Sequence, residues 1–135
     1  MLSRRAAIVF GIADLLTATV VGLGVFVALP ARWWPVDAAA ALVTTFELVA
    51  GVGLLRGVAW GERIARAASA LALAMGLLAV SLLAVTASWL GGVYGPVGAG
   101  GAIILTLVAA LAIPYLVVLP AVELVWLRPS PRAGG

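Results

Sequence analysis

The chain has 135 residues, of which 65% are hydrophobic and only 10% are charged, with a net charge of +3. Soluble domains are about 45–50% apolar and about 25% charged, so a soluble protein of this composition would expose aggregating apolar patches, and we expect lipid around it. The sequence has no Cys, His or Lys. This excludes disulfides, catalysis by a thiolate or an imidazole, histidine-ligated haem, ordinary zinc sites and lysine Schiff bases. The small net charge does not indicate a nucleic-acid-binding surface.

Four apolar runs are long enough for membrane-spanning helices, each of which needs about 20 residues. The predicted spans are Ala6–Leu29, Ala38–Leu55, Ala67–Leu90 and Ala102–Leu127. Uninterrupted runs of this length lack the alternation that is typical of a membrane β-barrel. We therefore predict an all-α fold, an integral membrane four-transmembrane-helix bundle with up-down-up-down topology, which forms a single membrane domain over residues 1–135.

The arginines give the orientation of these spans. If the chain crosses the membrane four times, seven of the eight arginines lie at one end of the bundle, namely Arg4, Arg5, Arg56, Arg63, Arg66, Arg128 and Arg132. Arg32 alone lies at the other end. Because basic residues concentrate on the cytoplasmic side, both termini are predicted to be cytoplasmic. Usage rich in Ala and Arg, without Lys, indicates a bacterial source with GC-rich DNA, and hence the cell inner (cytoplasmic) membrane.

The first span contains a single charged residue, Asp14, in a stretch that is otherwise apolar or small. The segment MLSRR before it resembles the basic start of a signal peptide. However, the apolar run is about twice as long as the apolar part of such a peptide, so we expect the first helix to be retained. A charged side chain near the bilayer centre costs about 2.5–3.5 kcal/mol, so Asp14 is expected to face the interior of the bundle.

The second span contains Glu47 at about the same depth as Asp14. Facing residues of two antiparallel helices have a nearly constant index sum, and small residues let membrane helices approach closely. One sum gives three pairs of small residues: Gly11 with Gly51, Ala18 with Thr44, and Gly22 with Ala40. Asp14 and Glu47 differ from that sum by one, so this register predicts that the two carboxyl groups meet.

The functional hypothesis is a proton or ion site formed by Asp14 and Glu47, with Thr44 and Tyr115 as its polar neighbours. Two ionised carboxylates repel strongly in a low dielectric, so the pair is expected to keep at least one proton and to titrate as a unit. The structural alternative is a protonated acid that hydrogen-bonds to a hydroxyl or a backbone carbonyl and holds helices together. No cofactor and no metal site is predicted.

The third span has no ionisable side chain, and small residues recur along it. Ala68, Ala72 and Gly76 follow one another every four residues, which predicts an interface for another helix or for a second copy of the chain. The following segment, Gly91–Gly101, is glycine-rich and uncharged. It is interpreted as a flexible turn on the outer side of the membrane.

The fourth span contains two prolines, Pro114 and Pro120, which remove backbone donors and are predicted to kink the helix. Tyr115 follows the first of them near the middle of the membrane, where its hydroxyl needs a polar partner. A kinked helix beside a buried acid suits a gate, but proline is also common in spans without such a role. Glu123 is predicted to anchor the inner end of the span at the headgroups or beside an arginine, with a third site acid as the alternative.

Three functional classes remain open. The preferred interpretation is a structural or accessory helix-bundle subunit, whose partners are the lipid bilayer and either further copies of itself or a larger membrane complex. The alternative is a proton-coupled transporter of a small molecule or an ion that uses Asp14 and Glu47. An enzyme is not expected, because only carboxylates, hydroxyls and arginines are available and no Ser or Thr lies in a nucleophile motif.

Overall fold

A computed structural model describes residues 2–28, 30 and 32–127. Every regular element in these ranges is helical, so the all-α prediction is confirmed. Three helices are long and apolar enough to cross a membrane, namely Arg4–Ala28, Trp34–Arg56 and Gly61–Trp126. The predicted spans 67–90 and 102–127 both fall within the third of these helices. Arg128 and Arg132, which belong to the predicted cytoplasmic set, lie outside the described residues.

The elements in chain order are α1 (Arg4–Leu23) with a π-helical extension (Gly24–Ala28), α2 (Trp34–Arg56), α3 (Gly61–Ile113), a π-helical segment (Pro114–Val118) and α4 (Leu119–Trp126). The Ser3 side chain caps α1 by accepting a hydrogen bond from the backbone N–H of Ala6 at 3.2 Å. Gly57 ends α2 in the left-handed conformation at φ 66°, which glycine adopts without steric cost.

Two compact units make up the chain. The first unit comprises Met1–Leu71 and Ala121–Gly135, and the second comprises Ala72–Pro120. In the first unit, α1 and α2 meet at two glycines. A Cβ atom added to Gly51 would lie 2.8 Å from the carbonyl oxygen of Gly11, and one added to Gly11 would lie 3.0 Å from that of Gly51. The predicted pairing of Gly11 with Gly51 is therefore confirmed.

The side-chain register of α1 and α2 differs from the prediction. Gly22 was expected opposite Ala40, but its nearest neighbour is the Thr44 side chain, whose methyl group lies 3.5 Å from the position of an added Cβ. The same offset of one helical turn is found at the glycine contact, where the Leu55 side chain packs on Gly11 and the Leu15 side chain packs on Gly51. The backbones therefore meet where the prediction put them, while the larger side chains reach one turn farther along the facing helix.

The second unit is a hairpin that reverses at a single residue. Gly95 is the one non-helical position within α3, at φ 55° and ψ −134°. The chain before and after it packs together: an added Cβ on Gly101 would lie 3.6 Å from the Leu90 side chain, and one on Gly76 would overlap the backbone carbonyl of Leu116. The chain reverses inside the predicted turn segment Gly91–Gly101, but the segment is helical on both sides of Gly95, so the turn is much shorter than predicted.

The predicted kinks of the last span take the form of a π-helical segment. The Leu119 N–H donates to the carbonyl of Pro114, five residues earlier. Because Pro120 has no N–H, it leaves the Leu116 carbonyl without its usual α-helical donor. Gly76 packs directly against this carbonyl, and a glycine Cα–H is a weak donor for such an oxygen. The proline of one helix and the glycine of the other therefore allow a close backbone contact.

Candidate functional site

Three carboxyl groups are buried together in the first unit. Asp14 of α1, Glu47 of α2 and Glu123 of α4 are 1%, 3% and 2% exposed. The Asp14 carboxyl lies beside those of both Glu47 and Glu123. We call these three residues the acid cluster. Two of its members are the acids that the sequence pairs.

The crossing of α1 and α2 explains why Asp14 and Glu47 meet. Asp14 lies about one turn after Gly11, and Glu47 lies about one turn before Gly51. Since the two helices are in backbone contact at Gly11 and Gly51, the residues one turn away face each other across a narrow seam.

Ser69 of α3 completes the cluster with a hydroxyl group. It is 1% exposed, its Oγ donates to the Ala65 carbonyl at 2.7 Å, and it lies within hydrogen-bonding reach of Glu123. The Ser69 hydroxyl therefore places a polar group beside the Glu123 carboxyl in an otherwise apolar interior.

The protonation of the cluster follows from what surrounds it. Asp14 Oδ2 and Glu123 Oε1 are buried and have no hydrogen-bond partner within the described residues. The one ion pair found in those residues joins Arg32 and Asp37, so no arginine described in the structure neutralises the cluster. A contact between two carboxyl groups is attractive only when one of them carries a proton. The arrangement is therefore suited to holding and sharing protons.

The described residues contain no group of three or more His, Cys, Asp or Glu side chains arranged to hold a metal ion. Asp14 lies between Glu47 and Glu123 and is beside both of them. The chemistry that this arrangement supports is proton exchange among oxygens.

A layer of apolar side chains lies one to two helical turns from the acids. Its members are Phe10, Ala50, Leu54, Ala65, Ala68 and Leu127, all of them buried. Each helix of the first unit contributes to the layer on the side that carries Arg4, Arg56 and Arg63, which we call the arginine end. The layer separates the acid cluster from that end of the unit.

The other predicted site residues lie in different surroundings. Thr44 is half-buried in the first unit, and its Oγ1 is buried without a hydrogen-bond partner in the described chain. Tyr115 belongs to the second unit and is 37% exposed on the π-helical segment. The participation of Thr44 and Tyr115 in a proton or ion site stays a prediction.

The predicted interface residues are all buried. Ala68 lies in the apolar layer of the first unit, whereas Ala72 and Gly76 belong to the second unit. Gly76 packs against Leu116 of the same chain. An intramolecular helix therefore fills this position, and no second copy is needed to cover Gly76.

Glu123 is the residue whose role the sequence analysis misjudged. It was expected to anchor the span at the headgroups, but its side chain is buried beside Asp14 and Ser69. The sequence carries a signal for this once the position of the chain reversal is known. Ser69 and Glu123 are equally far along the chain from Pro96, so a hairpin folded at that point brings them to the same level.

In comparisons with known proteins, no family model matches the sequence, and neither a curated protein nor a solved structure matches the chain. The functional argument therefore depends on the geometry of the site.

Proposed function

We propose that the chain is a multi-pass membrane protein that crosses the bilayer four times, up-down-up-down. The third apolar helix contains 66 residues, which at about 1.5 Å per residue would measure about 100 Å. The hydrocarbon core of a bilayer is about 30 Å thick. The reversal at Gly95 divides this length into two crossings, and the contact of Gly76 with Leu116 supports that division.

The orientation is proposed from the arginines. Arg4, Arg56 and Arg63 lie at the arginine end of the first unit, where the Arg4 guanidinium donates to the Leu55 carbonyl at 3.0 Å. With basic residues on the cytoplasmic side, this end and both termini face the cytoplasm of a bacterial cell. Large apolar side chains such as Val9, Leu16 and Leu82 are exposed along the helices, as expected for surfaces in contact with lipid.

The function that the geometry supports best is a proton-coupled membrane transporter in which the acid cluster binds and releases the coupling proton. The observation that carries this proposal is the burial of three carboxyl groups, with Asp14 beside both of the others and no ion pair to any of them among the described residues. Ionisable groups at that depth are expensive to insert and commonly mark proton or ion pathways. Three of them in one place form a set that holds protons and shares them as a unit.

The accessory-subunit interpretation remains the second candidate, and one observation favours it. The apolar layer beside the acids is closely packed, which is what a structural bundle needs. In that case the acids would act only as protonated hydrogen-bonding groups between helices. A single hydroxyl or amide would hold two helices at a smaller cost, and the presence of three carboxyls therefore favours the proton site.

Four helices enclose little space for a substrate. We propose that transport uses a pathway between copies of the chain, or between this chain and a larger membrane complex. The coupling proton would be bound inside each copy, because all three acids and Ser69 come from one chain.

The first test measures protonation directly. The full-length protein is reconstituted in lipid, and infrared difference spectra between alkaline and acidic buffer record the C=O stretch of protonated carboxyl groups. We expect a band from the acid cluster that Asp14→Asn removes or shifts, because Asp14 contacts both other acids. Asp37→Asn makes the same chemical change in an acid paired with Arg32, and it should leave that band in place.

Proton movement is then measured in liposomes that contain a pH-sensitive dye. An imposed pH gradient should acidify wild-type liposomes faster than empty ones, and Asp14→Asn and Glu47→Gln should abolish the difference, whereas Asp37→Asn should not. A wild-type protein with no protonation band from the cluster, or an Asp14→Asn protein that folds and moves protons at the wild-type rate, would rule the proposal out.

A further inference from the structure

The arginine end of the first unit contains a pocket of about 710 Å³. Four arginines line it, namely Arg4, Arg56, Arg63 and Arg66, together with one acid, Glu62. Leu54 of the apolar layer also lines the pocket. The pocket therefore lies on the far side of the apolar layer from the acid cluster and is separate from it.

The charges around this pocket are not balanced by the residues that line it. Glu62 Oε1 accepts a hydrogen bond from the backbone N–H of Leu2 at 2.7 Å. The one ion pair in the described part of the chain is that of Arg32 with Asp37, near the start of α2. Four guanidinium groups thus face one carboxylate that forms no ion pair with any of them. Such a concentration of one sign of charge in a concave site attracts an anion.

Arg66 is the residue that points most directly to a ligand. Its Nε is buried and has no hydrogen-bond partner among the described residues. Leaving a buried donor of a charged group without a partner costs more than about 1–3 kcal/mol. Arg66 lies one turn before Ser69 on α3 and close to the start of that helix at Gly61.

The shape of the arginine side chain identifies the class of ligand. A guanidinium group is a planar fork of N–H donors that matches two oxygens of a phosphate. Pockets that hold small organic ligands have volumes of about 300–1,000 Å³, so there is room for more than the phosphate itself. Leu2, Ala7 and Leu54 offer apolar surface in the same pocket.

We propose that this pocket binds the phosphate group of an amphipathic or small organic phosphate. Arg66 and Arg63 hold the phosphate oxygens, and the apolar side chains contact the remainder of the molecule. The phosphate has two possible sources, the headgroup of a phospholipid or a free phosphate monoester. This site is independent of the proposed proton site, because none of its residues belongs to the acid cluster.

Thermal unfolding of the full-length protein in a phosphate-free maltoside detergent tests the proposal, since a ligand that binds the folded state raises the unfolding temperature. One arm adds glycerol 3-phosphate, with glycerol as its control. The other adds short-chain phosphatidylglycerol, with the matching diacylglycerol as its control. Stabilisation by phosphatidylglycerol alone assigns the site to a lipid headgroup, and stabilisation by glycerol 3-phosphate assigns it to a free phosphate.

Variants then locate the binding. Arg66→Gln should weaken the affinity of the active probe at least tenfold, and Arg66→Lys should also weaken it because a lysine lacks the fork. Arg63→Gln, at an exposed lining position, should act in the same direction if Arg66→Gln does not fold. Arg5→Gln is the matched control, because Arg5 lies at the same end but does not line the pocket.

Two results would overturn the proposal. One is the absence of stabilisation by either phosphate compound beyond that given by its control. The other is an equal loss of affinity in Arg5→Gln and in the pocket variants, which would mean that the overall charge of the arginine end attracts the phosphate without a defined site.

Discussion

The two units bring helices together by different means. In the second unit, residues 72–120, the contact is made by glycine against backbone, as where Gly76 meets the Leu116 carbonyl, and the segment contains no Asp, Glu or Arg. The first unit uses the same device at Gly11 and Gly51, but it also buries three carboxyl groups next to that contact. Because the second unit packs closely without acids, close helix packing in this chain does not require them.

This comparison bears on function. If glycines hold both pairs of helices, packing alone does not explain the free-energy cost of burying the carboxyl groups of the first unit. The proposed proton site explains why the acids are present despite that cost. Variants that change the glycine contacts and the acids separately can therefore break the comparison or sharpen it.

The largest effect is expected from Gly76→Val. A Cβ at this position would overlap the Leu116 carbonyl, and the neighbour is backbone that cannot rotate away. Overpacking of this kind costs about 3 kcal/mol or more when the backbone itself must move. We expect little folded protein to be recovered in detergent, as measured by size-exclusion chromatography and by the unfolding temperature.

Gly92→Val is the control for this variant. Gly92 lies in the same helix and has no heavy atom within 4 Å of an added Cβ, so we expect a folded yield close to that of the wild type. A Gly76→Val protein as stable as Gly92→Val would show that the contact between residues 76 and 116 does not hold the second unit together.

The sequence predicted the features of the fold that follow from composition and short-range spacing. The helical class follows from long apolar runs, and the pairing of Gly11 with Gly51 follows from the helical repeat and an antiparallel register. The convergence of Asp14 and Glu47 follows from the same register. The residues concerned lie within about one turn of the contact between Gly11 and Gly51, on two helices that are consecutive in the chain.

Features that depend on the exact geometry of the chain reversal could not be predicted in the same way. A glycine-rich segment is typical of a turn, yet most of Gly91–Gly101 is helical, and Gly95 alone reverses the chain. Without the position of that reversal, the register between α3 and α4 is unknown. Glu123 therefore seemed to lie at the membrane surface, whereas the hairpin brings it to the level of Ser69.

A moderate effect is expected from Gly51→Ala, which tests the glycine contact of the first unit. The new methyl group would lie 2.8 Å from the Gly11 carbonyl oxygen and 2.9 Å from Leu15 Cγ. We expect a loss of about 2 kcal/mol in the free energy of unfolding, because one of the two neighbours is rigid backbone. Thermal or denaturant unfolding in detergent measures this loss.

Gly22→Ala makes the same change on the facing helix at a position with space. Its new methyl group would lie 3.5 Å from the Thr44 side chain, an ordinary contact. Alanine is favoured over glycine in a helix by up to about 1 kcal/mol, so this variant should be as stable as the wild type or more stable. If both variants lose the same stability, the close approach of α1 and α2 is not centred on Gly11 and Gly51.

The smallest effect, and the one that best separates the two candidate functions, is expected from Glu123→Met. Methionine has a similar length and no polar group, so the substitution makes the interior of the first unit more like that of the second. Ser69 keeps its hydrogen bond to Ala65, and Asp14 keeps Glu47 within reach, so no remaining polar group loses its last partner. Replacing a buried polar group without orphaning its neighbours is neutral or stabilising. We expect a gain of about 1 kcal/mol in the free energy of unfolding, measured in detergent.

Glu62→Met is the matched control for that substitution, because it removes a carboxylate that accepts a hydrogen bond from the Leu2 N–H outside the acid cluster. It should lower stability by about 0.5 kcal/mol. If Glu123→Met is instead the more destabilising of the two, the hydrogen bonds of Glu123 hold the helices together, and the acids belong to the packing of the bundle. If it stabilises the fold while the infrared band of the cluster shifts, the acids are retained at the expense of stability, which a proton site explains and a structural subunit does not.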